Sequence, residues 1–268
     1  MAGSLLDRAL GALEFLARSD DGAALQAVAD TLSMPKSGAH RLLGDLIRRG
    51  YVQQDKTNGQ YRLTTRLLSV AFRHLAATGI VDIAQPLIDQ LARKSGELVR
   101  LSVTDGDRQV WVAKAQGARS GLIIDAQMGD AAQLSCMATG HAWLACLSDE
   151  EALRLVTAQG FGDSAAFGPN APRTIADLLK MLERARALGY AAVVDSSAPG
   201  TSALAAAIRH PQTGAVLGTV SVGGPSVRLT LQRIEALAPS VMATAGELAA
   251  CRAGSSLLVS RMPGAASS

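Results

Sequence analysis

At 268 residues the chain is long enough for one large or two modest domains, and at roughly 150 residues per domain two is the expectation. Apolar residues make up 48% and charged residues 18%, with mean hydropathy +0.18, which supplies a core and excludes charge-driven disorder; 3% aromatics exclude a stacking-rich single-strand binder. The net charge of +3 is unevenly spread: residues 1–75 carry 10 Lys/Arg against 7 Asp/Glu and the remainder 16 against 16, while between Pro35 and Leu75 eight basic residues face only Asp45 and Asp55.

A local excess of this kind attracts a polyanion, because each phosphate neutralised releases a condensed counterion; on charge alone a solvated basic face explains it equally well. Asp7, Arg8 and Glu14 stand where a signal peptide needs an uncharged stretch. One of the two longest charge-free runs, Ala131 to Ser148, contains Gln133, Ser135, Thr139, Gly140 and His141, which fit hydrocarbon poorly, so no membrane span is expected. Cysteines at 136, 146 and 251 are too few for a disulfide framework, and a reducing cytoplasm fits them best.

Leu6, Ala9, Leu10, Leu13, Leu16 and Ala17 recur at three- and four-residue steps and predict a first helix that ends before Ser19-Asp20-Asp21-Gly22. Leu25, Val28, Ala29 and Leu32 predict a short second helix, broken at Ser33-Met34-Pro35, with Pro35 in the first turn of the next. Between Lys36 and Arg49, Ala39, Leu42, Leu43, Leu46 and Ile47 form a buried stripe opposite Ser37, His40, Arg41, Gly44 and Arg48; Gly50 ends the helix. Two short helices joined by a tight turn, the second with a small, polar and basic outer face, have the form of a helix-turn-helix. Gly44 and Ser37 leave room to approach a groove, and Arg41 carries a planar fork suited to guanine or phosphate. Tyr51–Gln54 and Gln60–Leu63 read as strands around Asp55-Lys56-Thr57-Asn58-Gly59, whose Asn-Gly step favours a tight hairpin: a wing with Lys56 and Asn58 at its tip. The order of these pieces, together with the basic segment, favours duplex DNA over a protein-only role. The residues assigned to DNA are Lys36, Ser37, His40, Arg41, Arg48, Lys56, Asn58 and Arg62.

Leu67, Leu68, Ala71 and Leu75 predict a connecting helix over residues 64–78, and another helical pattern runs from Ile83 to Leu91. Beyond it, strands are expected at 98–103, 109–115, 121–126, 190–194, 203–209 and 215–222, and helices at 138–147, 149–157 and 174–188. Strands in several hairpins with intervening helices indicate an α/β sheet. Catalytic chemistry is poorly supplied: Cys136, His141 and Cys146 are five residues apart, which on a helix turns neighbours about 140° from one another, so they do not converge as metal ligands or as a nucleophile pair. No phosphate-cradling glycine loop followed by Lys is present, and neither a catalytic site, a metal nor a cofactor is expected.

Leu5-Leu6-Asp7-Arg8-Ala9-Leu10, Met34-Pro35-Lys36-Ser37, His40-Arg41-Leu42-Leu43, Leu46, Gly50-Tyr51-Val52 and Tyr61-Arg62-Leu63 resemble IclR-type transcriptional regulators. The resemblance continues in Ala138-Thr139-Gly140-His141-Ala142, Arg186-Ala187-Leu188-Gly189-Tyr190-Ala191, Gly200-Thr201-Ser202-Ala203-Leu204-Ala205-Ala206 and Ser221-Val222-Gly223-Gly224-Pro225, and so spans roughly Ser4 to Ala250. It implies an α+β chain. A winged helix-turn-helix at residues 1–63 is followed by a linker helix at 64–79 and an α/β effector-binding domain with a mostly antiparallel sheet at 80–253, while the Ser/Gly/Ala-rich composition of 254–268 reads as a flexible tail. The assembly implied is a homodimer or a dimer of dimers.

The resemblance also places an effector cavity between the sheet and the helix opened by Ala138, Thr139 and Gly140, with Val193, Asp195, Thr201, Ala203, Ser221 and Gly223 opposite. Exposed amides at that helix start suit a carboxylate. Several family members carry an acid near Val193, a cysteine at Ala203 and a serine at Gly223; here all three positions are apolar or smaller, which favours a ligand with a larger apolar body over a very small hydrated acid. The expectation is an aromatic carboxylate of catabolic origin, with Thr139 and Ser221 on its polar end; Trp111 and Met128 are candidates for the ring, though core packing explains each of them as well. The alternative is a metabolite-binding enzyme or enzyme subunit with an accessory basic module.

Overall fold

The computed structural model describes residues 4–19, 21–124, 131–162, 167–251, 255 and 258. The chain divides into two compact units, Met1–Ala77 and Thr78–Ser268.

The first unit opens with α1 (Leu5–Ala17), started by a reciprocal cap: Asp7 N–H donates to Ser4 Oγ, and Ser4 N–H to Asp7 Oδ2. Next come α2 (Leu25–Thr31) and α3 (Lys36–Arg48), with Pro35 one place earlier than expected, at the N-cap. The turn between α2 and α3 closes when Met34 N–H donates to Ala29 O (3.0 Å), which forces Ser33 to φ 48°, a conformation few non-glycine residues adopt. β1 (Val52–Gln54) and β2 (Tyr61–Leu63) pair antiparallel, and Ala23 adds an isolated bridge to Tyr61 on the far side. The expected hairpin forms, closed where Asp55 N–H donates to Gln60 O with four residues between them and Gly59 at φ 72°. Ala12, Leu16, Val28, Leu42, Leu43, Leu46, Val52 and Tyr61 form one core beneath these elements, so the stripe that makes α3 amphipathic also aims its opposite face outward. α4 (Thr65–Thr78) follows, its start tied to the wing through Thr64 Oγ1, which donates to Gly50 O, and through Arg66 over the Tyr51 ring.

The second unit is a five-stranded antiparallel sheet. Its elements are α5 (Ile80–Ser95), β3 (Leu98–Asp105), β4 (Arg108–Gln116), α6 (Ala138–Leu144), α7 (Asp149–Gln159), α8 (Ile175–Leu188), β5 (Ala191–Val194), β6 (Thr201–Arg209), β7 (Val216–Pro225) and α9 (Leu231–Ala250). The strand order is β4-β3-β7-β6-β5. α6 packs Ala138 and Ala142 onto Ala191, Val193 and Ala205, while α5 and α9 pack against each other and against β3, β4, β6 and β7. Alternate residues Leu204, Ala206, Val220 and Val222 are buried too, so both faces of the sheet are covered.

Two expectations from sequence need correction. Residues 121–124 are not a strand, and 125 and 126 lie outside the described residues. α9 was not among the expected helices, although Ile234, Leu237, Val241 and Leu248 carry its buried stripe through Pro239. Met128 and the tail, apart from Ser255 and Leu258, lie outside the described residues. No single helix among the described residues is long and apolar enough to cross a membrane.

Candidate nucleic-acid interface and effector site

On α3, Lys36, Ser37, His40, Arg41 and Arg48 are all exposed, as the helical spacing predicts. Gly44 lies among them over open space: a methyl group placed there would find only Arg48 Nη1, at 3.9 Å. Arg48 is not a free cation, because it pairs with Asp45 three residues earlier. Lys56 and Asn58 are exposed on the wing loop, but the Asn58 side chain accepts from Gln60 N–H at 3.0 Å and so helps shape the loop. Asp55 does the same, accepting from Thr57 N–H, and that bond holds its carboxyl below the usual range. Arg62 is only partly exposed and its polar atoms are engaged. Its Nε donates to Asp21 O at 2.9 Å, its Nη2 lies 3.7 Å from Asp55, and its stem packs over Gly22, so it braces the wing against the loop before α2. The unencumbered outer face therefore consists of Lys36, Ser37, His40, Arg41, Gly44 and the tip residue Lys56.

In the second unit the β-register brings part of the expected effector set together. Val193 pairs with Ala203, Ala203 with Gly223 and Gly223 with Leu98, which puts the four in one row across the sheet. Ser221 is in the next row, between Ala205 and Arg100. Ala138 and Thr139 stand on the helix that covers this face, each 2% exposed. The amides expected to be exposed at this helix start are not: its first turn is buried, and a methyl group on Gly140 would lie 2.5 Å from Leu134 Cα and O. Asp195 and Thr201 lie at the strand ends with their polar atoms engaged. Gly200 N–H and Ser226 Oγ donate to Asp195 Oδ1 at 2.7 and 3.1 Å, and Thr201 Oγ1 donates to Ala198 O at 2.7 Å. These bonds hold Asp195 at φ 50° and shape the loop between β5 and β6.

A cavity of about 170 Å³ lies along β5, lined by His141, Met181, Ala191, Val193 and Ser196; Val193 is the one expected effector residue that reaches it. A larger one of about 450 Å³, lined by Ala142, Cys146, Arg186, Arg209, Met242 and Ala249, contains none of them. Burial pushes the Cys136 thiol up to about 11 and raises Cys146 as well, with Arg209 Nη2 only 2.9 Å from the latter's sulfur; burial drives His141 in the opposite direction, toward the neutral form, with Nε2 2.7 Å from Ser135 O. These groups face different partners. Among the described residues no group of three or more His, Cys, Asp or Glu side chains is placed to hold a metal ion.

A partly buried cation on the sheet face is absent from the expected set. Arg100 interrupts the apolar run of β3, opposite Ser221, and its guanidinium lies over the Trp111 ring. The signal available in the sequence is a lone cation inside Leu98-Val99-Arg100-Leu101-Ser102-Val103.

Residues 5–56 match the family described as IclR helix-turn-helix domain, and residues 72–250 match that described as Bacterial transcriptional regulator IclR C-terminal. Over 243 residues the chain is 27% identical to the HTH-type transcriptional repressor AllR of Escherichia coli (strain K12), covering 91% of this chain and 88% of that protein. An IclR transcriptional regulator from Alicyclobacillus acidocaldarius shares the fold with TM-score 0.79 at 22% identity, over 92% of this chain and 97% of the other. An IclR homolog complexed with 4-hydroxybenzoate, from Microbacterium hydrocarbonoxydans, does so with TM-score 0.73 at 20% identity, over 92% of this chain and 100% of the other.

Proposed function

The chain belongs to the IclR family of bacterial transcriptional regulators, which are DNA-binding proteins and not enzymes, and on that premise we propose that it controls a catabolic operon from the cytoplasm in response to an aromatic carboxylate. The observation that carries the DNA-binding part is the outer face of α3, where Ser37, Arg41 and Gly44 stand clear of the protein while Leu42, Leu43 and Leu46 anchor the opposite side. A helix of 13 residues so anchored fits a major groove, with Arg41 reading a base edge and Lys56 on the wing meeting phosphate.

The working unit is a homodimer, or a dimer of dimers, on a pseudo-palindromic operator. Leu6 and Leu10 on α1 and Leu68 and Phe72 on α4 support this: each is more than half exposed, and each pair lies one helical turn apart, which suits a second copy. The boundary between units at residues 77 and 78 falls within the linker proposed at 64–79, between a DNA-binding domain at 1–63 and an effector domain at 80–253. The apolar row Val193, Ala203, Gly223 and Leu98 supports a ligand with a flat apolar body, and the structural neighbour holding 4-hydroxybenzoate supports the same class. The ligand acts through unequal affinity for two arrangements of the protein, since equal affinity shifts nothing.

The test is fluorescence anisotropy of labelled duplexes from the promoter region flanking the gene. Specific binding should weaken steeply with salt, and Arg41→Ala should cost about 1–3 kcal/mol and relax the preference at one base pair. Absence of binding to every promoter fragment at low ionic strength would overturn the proposal.

A further inference from the structure

Among the described residues, three arginines of the second unit sit in ion pairs with carboxylates. Arg154 meets Asp107 and Glu151, Arg186 meets Asp149, and Arg228 grips Glu97 through two bonds. Arg100 is the contrast. It is partly buried in mid-strand, between Val99 and Leu101, which are fully buried on the opposite face, and burial alone lowers its pKa to about 10, so it stays charged at neutral pH. Among the described residues no carboxylate pairs with it; its guanidinium carbon instead lies 4.0 Å from the centroid of the Trp111 indole. Trp111 is itself 5% exposed, and its buried Nε1 has no acceptor among the described residues.

Two adjacent donors on one sheet face are thus left without an acceptor among the described residues, one of them cationic. The polar groups of Ser102 and Gln109 on that face do not supply one. Ser102 donates to Gln109 Oε1 at 2.5 Å and lies 2.7 Å from Thr219 Oγ1, and Gln109 Nε2 donates to Thr104 Oγ1 at 2.7 Å, a network that satisfies itself. A folded chain rarely keeps an indole N–H away from water, beside a partly buried cation, without something to accept from it. The missing partner must be negative, planar enough to lie against a guanidinium fork, and joined to a body that fits small apolar side chains. Ser221 stands directly opposite Arg100 on β7, and the row beyond it, Leu98, Gly223, Ala203 and Val193, offers little but carbon and space: a methyl group on Gly223 would meet only Ser202 O, at 3.9 Å.

We propose that Arg100 and Trp111 hold the carboxylate of the effector, whose aromatic body extends past Ser221 over Gly223 and Ala203. The inference rests on reading the second unit as an effector domain. It reverses the polarity expected from sequence, since the buried first turn of α6 then faces the ring end. A guanidinium holds a carboxylate through two parallel bonds, so charge and shape are both selected, and a neutral isostere of the same ring loses that end of the site.

The experiment is calorimetric titration of the full-length protein with benzoate, 4-hydroxybenzoate and the neutral benzamide, in wild type, Arg100→Gln, Arg100→Lys and Trp111→Phe. The expected result is a loss of acid affinity of about 10- to 100-fold in Arg100→Gln, a smaller loss in Arg100→Lys and Trp111→Phe, and no change in the weak binding of benzamide. Because the ligand-free site holds an uncompensated cation, Arg100→Gln without ligand should melt at or above the wild-type temperature. Wild-type acid affinity in Arg100→Gln overturns the inference while leaving the effector reading intact. A fall of several degrees in its ligand-free melting temperature marks Arg100 as structural and also overturns it. A wild type that binds neither acid but still binds its operator defeats both the inference and the aromatic reading.

Discussion

Replacing Gly44 by alanine should make the protein more stable and worse at binding its operator. Gly44 is helical, and the closest atom to an added methyl group is the flexible Arg48 Nη1 at 3.9 Å, so nothing has to move. Alanine in a helix interior is favoured over glycine by about 0.8–1.0 kcal/mol, partly because the unfolded chain has less freedom to lose. For a cooperative unit the size of Met1–Ala77 that corresponds to a rise in melting temperature of about 4–8 °C. The same methyl group would protrude from the centre of the face that carries Ser37 and Arg41, where the backbone must come close to the groove floor; a displacement there should weaken binding by about tenfold, or 1.4 kcal/mol, and Gly44→Leu should weaken it further. Differential scanning calorimetry reads the first effect and anisotropy with a labelled operator the second. A stabilised variant with unchanged operator affinity would show that this face does not enter the groove, and a destabilised one would show that the helix is not open at this position.

Two further outcomes concern the second unit. Gly140→Ala places a methyl group 2.5 Å from Leu134 backbone atoms, which cannot yield as a side-chain tip would, so the denaturant midpoint should fall by an amount worth about 1–3 kcal/mol; an unchanged midpoint would mean that α6 is free to lift away. His141 is buried and held toward the neutral form chiefly by desolvation, against the bond to Ser135 O, so its folded pKa lies below the ordinary 6.5. A depressed folded pKa contributes stability that is complete above 6.5 and declines as pH falls below it toward the folded value, because the unfolded chain takes up the proton first. Urea unfolding at pH 7.5 and 5.5 should therefore show a loss at the lower pH that His141→Gln reduces; an identical loss in that variant would remove His141 as its source.

The DNA-binding unit is legible along the chain because its information is local. Leu42, Leu43 and Leu46 need only the helical repeat to share a side, and Met34 N–H finds Ala29 O five residues back. The same locality explains where expectation and structure part in this unit. Arg62 looks like a wing cation until Asp21 O, 41 positions earlier in the chain, is seen to receive its Nε–H. The Asn58-Gly59 step signals a hairpin but not its length, which depends on Asp55 and Asn58 turning their side chains onto the loop backbone.

Helical periodicity, capping and the basic segment between Pro35 and Leu75 follow from neighbours a few residues apart, whose hydrogen bonds and apolar contacts form regardless of what the rest of the chain does. The pairing of β3 with β7, which joins residues about 120 positions apart and sets Arg100 opposite Ser221, has no such local source. That register is chosen by burying both faces of the sheet at once, and a slip of one residue would turn Arg100 and Ser221 to opposite sides. The helices and the basic face could therefore be read in order along the chain, whereas the cation on the effector side, which no carboxylate among the described residues meets, emerges only when distant strands pair.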